Sequence, residues 1–539
     1  MDFYKNKINK IIKRVFIQQT IIKRIYFLIF GALVFVFSCS DFKKNTTHAK
    51  MPDYNIESGK LLAAKYCQSC HLLPDPSLLN ARMWEEGVLP AMGPRLGIND
   101  YGFIHYSSSR NDKNLDKNYY PSKPVLSIQE WRYIMDYYTS VSPDTLPSQQ
   151  RTTTIKNGAS LFKIEIPVYK HSLPTTCFVE IDTSTAIKKV VISDMLTKNI
   201  LRFSADFTLL DSFKNVSPVV DIERDGDGFI TCNIGEMGPN NGKFGSAAHL
   251  AFSPARSYNA DTTEMFNNLA RPVQITPADF NKDGKTDYLV CEFGNLMGSL
   301  SWMENLGKGK FERHVLRGLP GAIKAYIKDV NHDGLPDIWV LFSQGDEGLF
   351  LFTNKGNGKF EQEEVLRFPS IYGSSYFELA DFNKDGFPDI VYTSGDNADF
   401  SAVLKPYHGV YIFMNDGKNH FKQEYFFPMY GCFKAIARDF DGDGDLDIAA
   451  ISFFADYAKH PEESFIYLEN KGKMDFQPYI LPGTNTGRWL TMDAADLDGD
   501  GKTDLILGNF SLAPASLKSA INWKEGPPFV VFKNIIKNK

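Results

Sequence analysis

One nine-residue pattern, D-x-[DN]-x-D-G-x-x-D, occurs five times in this chain, and no other feature constrains the fold as strongly. The copies are Asp279, Asn281, Asp283, Asp287; Asp329, Asn331, Asp333, Asp337; Asp381, Asn383, Asp385, Asp389; Asp439, Asp441, Asp443, Asp447; and Asp496, Asp498, Asp500, Asp504. Oxygens at positions 1, 3 and 5 converge on one cation only if the chain curls tightly. Glycine at position 6 permits the curl, a backbone carbonyl can serve at 7, and Asp at 9 closes the shell. Hard oxygen ligands with several carboxylates select Ca²⁺, so about five Ca²⁺ sites are expected. A set of Asp/Gly-rich hairpin turns is the plainer alternative, and five copies weigh against it. These are not EF-hands: position 12 carries no Glu, and a β-type apolar run follows each loop instead of a helix, as in residues 288–293 and 338–342.

A second signature trails the first four runs. Asn305-x-Gly307-x-Gly309, Asn354-x-Gly356-x-Gly358, Asn415-x-Gly417 and Asn470-x-Gly472 read as hairpins whose glycines supply positive φ. Loop starts lie 50, 52, 58 and 57 residues apart, a period suited to four-stranded blades. Weaker copies beginning at Asp182 and Asp221 bring the starts to seven. The last copy ends at Asn534 without a closing strand, which residues 161–167 are placed to supply. On these motifs residues 157–539 resemble the FG-GAP/VCBS repeat family, with Ca²⁺ loops placed as in integrin-type propellers. The resemblance implies an all-β, seven-bladed β-propeller.

The N-terminal part follows other rules. The apolar run at residues 25–38 is preceded by Lys10, Lys13, Arg14, Lys23 and Arg24. It is shorter than the ~20 residues that span a bilayer, so it reads as the h-region of an export signal. Val36-Phe37-Ser38-Cys39 resembles a bacterial lipobox. The expectation is a signal peptide over 1–38, lipidation at Cys39, a polar tether over 39–55, and an exported lipoprotein anchored to a membrane at the periplasmic face or the cell surface.

Cys67-Gln68-Ser69-Cys70-His71 is a C-x-x-C-H run, the attachment signature of covalent haem c, with His71 placed to ligate the iron. A zinc half-site would need a second Cys/His pair nearby, and a thioredoxin-type dithiol would follow a strand in a βαβ unit; neither pattern is present. Gly59, Leu62 and Cys67 reproduce the first-helix spacing of class I cytochromes c, which residues 56–147 resemble. Ser127 to Glu130 forms a capping box that opens a helix with Trp131, Ile134, Met135 and Tyr138 on one face. The resemblance implies a small all-α haem domain whose C-terminal helix packs across the first, with Met92 as sixth ligand ahead of Met83, Met135 and His105. Residues 148–156 read as a linker.

The formal charge of -5 conceals +6 on the first 38 residues and -11 on the rest, which argues against nucleic acid as a partner. Five Ca²⁺ ions would bring the remainder to about -1. Cys177, Cys232, Cys291 and Cys432 lie in or beside expected strands, either as disulfides or as buried thiols. Polar loop residues between blades (Asp396, Asn397, Asp399, Lys405, Tyr407, His408, then Asp456, Tyr457, His460, Arg488 and Trp489) form the candidate ligand surface, with His408 favoured as an ordinary loop histidine over a general base. No motif names a reaction. The first reading is an electron-transfer c-type cytochrome on a calcium-stiffened platform that docks a redox partner protein or a small-molecule ligand. The alternatives are a haem-coupled dehydrogenase of sugars or alcohols, and an adhesin for glycans or proteins.

Overall fold

The computed structural model describes residues 51–539 apart from 170–172, 227, 253–259, 399, 515, 516, 518, 520 and 537–539. The apolar run 25–38, Cys39 and most of the tether lie outside the described residues, as does Asp399. Among the described residues no helix is long and apolar enough to cross a membrane.

From residue 176 onward the chain forms seven antiparallel sheets, one after another, at residues 176–214, 219–269, 272–317, 322–367, 374–428, 432–480 and 489–534. Each contributes one inner strand that contacts the inner strands of its neighbours, and the last contacts the first, so the seven blades close into a ring. The second strands Asp287–Glu292, Asp337–Phe342, Asp389–Ser394, Asp447–Ser452 and Asp504–Asn509 are buried along their whole length. Sheets covered on both faces need apolar residues on both faces, which is why these strands read as continuous apolar runs rather than as alternation. The cores lie between neighbouring blades: Phe280 and Trp302 of blade 3 pack with Val340 and Phe350 of blade 4. The last blade is completed as expected, by Phe162–Glu165 pairing with Phe529–Asn534, Phe162 opposite Asn534.

Two expectations for the propeller and its approach change. Asp221 and Glu223 do not open a loop; they lie inside the inner strand Val219–Asp225. Asp221 faces Cys232 across the ladder as Gln274 faces Cys291 in the next blade, so the two acids correspond to Gln274 and Thr276, not to loop positions. Asp182 likewise ends an inner strand. The other change is the linker over 148–156, which is fastened to the propeller rather than free. Gln149 Nε2 donates to the His408 carbonyl at 2.7 Å, and Arg151 grips the buried Glu463 carboxylate through two bonds of 2.7 and 2.6 Å. Lys156–Asn157 then adds a parallel fifth strand to blade 6 beside Phe476–Ile480. A segment with buried partners of this kind has exchanged solvent for fixed hydrogen bonds.

Before the propeller, helices Asp53–Tyr66 and Ile128–Val141 pack together. They touch at Gly59, where a Cβ would lie 1.9 Å from the Tyr133 carbonyl oxygen. The capping box is formed, with Glu130 N–H donating to Ser127 Oγ at 3.2 Å and Ser127 N–H to Glu130 Oε2 at 2.7 Å. Between the helices lie short helical turns and a two-stranded ribbon, Asp100–Tyr101 with Ile104–His105, so this region departs from the expected all-α composition. Its core of Trp84, Leu89, Trp131, Ile134 and Tyr138 also contains Ile371, and Val403 packs against it; both belong to propeller connections.

Antiparallel blades give the ring two faces. First-to-second and third-to-fourth strand turns emerge on one, second-to-third and blade-to-blade connections on the other. The D-x-[DN]-x-D-G loops occupy the first face. Helical-region contacts fall on the second: Ile371, Val403, a Tyr407 Oη–H bond to the Leu78 carbonyl at 3.2 Å, and an Asn241 Nδ2–H bond to Asp112 Oδ2 at 2.9 Å.

Candidate functional site

The five loops share one conformation. Their position-6 glycines, Gly284, Gly334, Gly386, Gly444 and Gly501, all have φ between 80° and 96°, and position 4 is also left-handed, with Lys282, His332 and Lys384 near 60° and Gly442 and Gly499 at 73° and 81°. In the first loop the Asp279 carboxylate accepts the N–H groups of Asp283 and Gly284, and Asn281 Oδ1 accepts Asp283 N–H. Ligand atoms of Asp439, Asp441 and Asp447 lie within 4.8 Å of one another, as do those of Asp496, Asp498 and Asp500. All-oxygen donors at that spacing fit a hard divalent cation.

The position-9 acids have a second task that the motif did not announce. Asp447 accepts Phe440 N–H at 3.1 Å, Asn470 N–H at 2.8 Å and Tyr467 Oη–H at 2.7 Å. Asp287, Asp337, Asp389 and Asp504 accept the N–H groups of Asn305, Asn354, Asn415 and Asn534 in the same way. The Asn residue of each hairpin and the last Asp of each loop therefore form one lock that ties loop to third strand. Burial pushes the Asp447 carboxyl up to about 7 and Asp504 up to about 6, with neighbouring loop carboxylates adding to the shift. A nearby cation would reverse that direction.

Cys67 caps the first helix, its N–H bonded to the Ala63 carbonyl, and Cys70 is exposed one turn later. His71 Nδ1 lies 3.0 Å from the Leu72 carbonyl, an arrangement that fixes the tautomer and leaves Nε2 available as a ligand. The following segment is pinned by Tyr138 Oη to the Pro74 carbonyl at 3.1 Å, and by Trp84 Nε1 and Ser142 Oγ to the Pro76 carbonyl at 2.9 and 2.7 Å. Met92 closes the short helix Leu89–Met92, and it and Cys67 pack against the same apolar cluster. Of the competitors, Met135 is buried and its Sδ accepts Tyr106 Oη–H at 3.4 Å, and His105 pairs with Asp100 in the open, while Met83 packs against the same cluster as Met92. Burial pushes the Cys67 thiol up to about 12, the opposite of what a reactive dithiol needs. Cys67 and Met92 lie against that cluster, Cys70 and His71 follow Cys67 in the chain, and two thiols, one imidazole nitrogen and a thioether are donors of the kind that a covalently held haem takes.

The remaining cysteines, Cys177, Cys232, Cys291 and Cys432, are buried and unpaired. Four of the polar loop residues have structural partners or are buried. Tyr407 stacks on Tyr372 and bonds to the helical region. His408 is wholly buried and its pKa falls well below the usual imidazole range through burial and the adjacent Lys405, so it stays neutral. Arg488 is likewise buried, donating to the Phe453 and Leu512 carbonyls, and Trp489 Nε1 donates to the Thr484 carbonyl.

The inner strands carry a polar ring that the repeat pattern hid. Gln274 bonds to both backbone groups of Ala325, Glu378 accepts Ala437 N–H at 2.7 Å, Asp493 accepts Ile181 N–H at 2.8 Å, and Asp221 accepts Ile275 N–H at 3.1 Å. Each clamps the next blade. Lys324 and Lys434 interact electrostatically with Asp221, two and three blades away around the ring, so these side chains share the axis of the ring. Burial raises Glu180 to about 8 and Glu223 to about 7 and lowers Lys434 to about 8. Residue type alone could have found these positions only with the blade register in hand.

Comparison with known proteins agrees with this geometry for the propeller. A model of the FG-GAP-like repeat matches residues 279–340, 329–392 and 439–507. The chain carries FG-GAP-like repeats and folds as a seven-bladed β-propeller. Among curated relatives, cartilage acidic protein 1 of Xenopus tropicalis is 31% identical over 31% of this chain and 26% of its own length. Integrin alpha-3 of Cricetulus griseus is 26% identical over 30% of this chain and 17% of its own, and integrin alpha-4 of Xenopus laevis is 27% identical over 24% and 14%. The chain thus aligns with about a quarter or less of the length of these relatives.

Proposed function

We propose that this protein is an exported, lipid-anchored c-type cytochrome whose FG-GAP propeller docks a protein partner or ligand and is stiffened by Ca²⁺ in its five loops. The observation that supports it most is the Cys67-x-x-Cys70-His71 run at the end of the first helix, with Cys67 and Met92 packed against the same apolar cluster. Cys67 and Cys70 would hold the porphyrin through two thioethers, and His71 Nε2 and Met92 Sδ would ligate the iron. Bound there, a haem supplies one-electron transfer, and a His/Met pair raises its potential. Cys39 would carry the lipid and place the molecule at a membrane surface outside the cytoplasm. Likeness to integrin alpha chains supports a binding role for the propeller, and it equally favours the adhesive reading, in which the propeller grips a glycan or a surface protein.

The reduced-minus-oxidised absorption spectrum of the matured protein tests the reading, recorded as sugars, alcohols and a redox protein are added in turn. Reduction only through a protein supports the carrier. Reduction by a small molecule alone turns the reading toward a dehydrogenase, and a haem that never cycles turns it toward the adhesin.

A further inference from the structure

Blade 3 departs from the repeat on its two outer strands, Ser299–Gly307 and Lys310–Arg317. Their register sets Trp302 directly opposite His314 and Glu304 directly opposite Glu312. Residues two apart on a strand share a face, so these four side chains stand on one face of the sheet. The corresponding pairs are Leu351 with Glu363 and Thr353 with Glu361 in blade 4, and Tyr467 with Tyr479 and Glu469 with Gln477 in blade 6. Neither blade sets an imidazole beside two carboxylates.

Like charges directly opposite one another destabilise a strand pair. Among the described residues neither Glu304 nor Glu312 pairs with a lysine or arginine; the ion-pair partner present is His314, whose Nε2 lies 2.7 Å from Glu304 Oε2. The His314 ring lies flat against Trp302, with centroids 4.6 Å apart and planes 22° apart. The indole N–H of Trp302, buried in that stack, has no hydrogen-bond partner. Glu304 Oε1 is held by Asn281 Nδ2 at 2.9 Å, from the first of the five loops. One ligand atom from each of Glu304, Glu312 and His314 lies within 4.8 Å of the other two. Donors about 2.0–2.2 Å from a Zn²⁺ sit about 3.4 Å from one another in a tetrahedron, so side-chain rotation suffices to close a shell here.

We propose that Glu304, Glu312 and His314 bind a divalent transition metal of the Zn²⁺ type on the outer strands of blade 3. An imidazole with two carboxylates favours such an ion over Ca²⁺, which takes oxygen ligands. Asn281 orients the Glu304 carboxylate through its other oxygen, the kind of outer support that ligating carboxylates receive. Three protein ligands leave a fourth position for water or for a donor from a docked partner. The site is independent of the haem reading.

Calorimetric titration of the Ca²⁺-saturated, full-length protein with Zn²⁺ tests this, on a Cys67→Ser/Cys70→Ser background so that those thiols take no metal. One equivalent of Zn²⁺ is expected to bind and to stay bound in excess Ca²⁺. His314→Gln and Glu312→Gln are each expected to weaken that binding about tenfold or more. Glu312 is exposed, so its variant tests the site with the fold intact. Absence of Zn²⁺ binding, an affinity unchanged in either variant, or displacement of the Zn²⁺ by Ca²⁺ overturns the proposal.

Discussion

On one face of the ring five loops repeat a single hydrogen-bond pattern, whereas on the other the connections that meet the helical region make individual contacts. Asp447 with Asn470 and Asp504 with Asn534 are interchangeable in geometry. Tyr407 with Leu78, Asn241 with Asp112 and Arg151 with Glu463 are each made once. The repeated face is one local arrangement copied around the ring, so whatever acts on one loop acts on all five. The other face depends on side chains brought together from distant parts of the chain, so its failures should be local.

The largest effect separating the two faces is chelation. If cations hold the loops, excess chelator lowers the melting temperature of the propeller by on the order of 10 °C or more, and calorimetry with and without Ca²⁺ measures it. An unchanged melt places the stability of that face in the Asp–Asn locks alone. Next in size is Gly59→Val, which forces a methyl-bearing carbon against the Tyr133 carbonyl and costs about 3 kcal/mol in the helical region. Near-UV circular dichroism of its tryptophans should show early melting there while the propeller transition stays in place.

Acidity sharpens the contrast further. Asp447 and Asp504 have carboxyl pKa values raised by folding, so between the ordinary carboxylate range and about 7 the cation-free native state holds more protons than the unfolded chain. Its stability therefore falls as pH rises through that window. Cation-free protein should melt higher at about pH 5 than at about pH 8, and excess Ca²⁺ should reverse the order, because binding requires the ionised form. The smallest effect expected is that of Tyr407→Phe, which removes the hydroxyl bonded to the Leu78 carbonyl and costs about 1 kcal/mol, read as faster hydrogen exchange in residues 76–79 with no change in the loops.

The same contrast explains what the sequence discloses. Asp279 to Asp287 announces its loop because every oxygen that matters lies within nine residues, and the Cys67–His71 run is equally compact. Asp221 misleads because an acid two residues before another acid looks alike in a loop and on an inner strand; only its pairing with Cys232 tells them apart. Residues 148–157 look like a flexible connection because Gln149 and Arg151 are polar, and their partners, Tyr430 and Glu463, lie about 300 residues away. The ring of Asp221, Lys324, Glu378, Lys434 and Asp493 stays hidden for the same reason: it is assembled from several blades, each giving one or two side chains.

The central claim is that haem is fastened at Cys67 and Cys70 on the face opposite the loops. Intact-mass and peptide-mapping measurement of protein matured with haem-ligation machinery tests it most directly. A gain of one haem carried by the peptide spanning residues 67–71, lost in Cys67→Ser/Cys70→Ser with the propeller still folded, is the predicted result. Unmodified thiols on that peptide in an otherwise folded protein would contradict it.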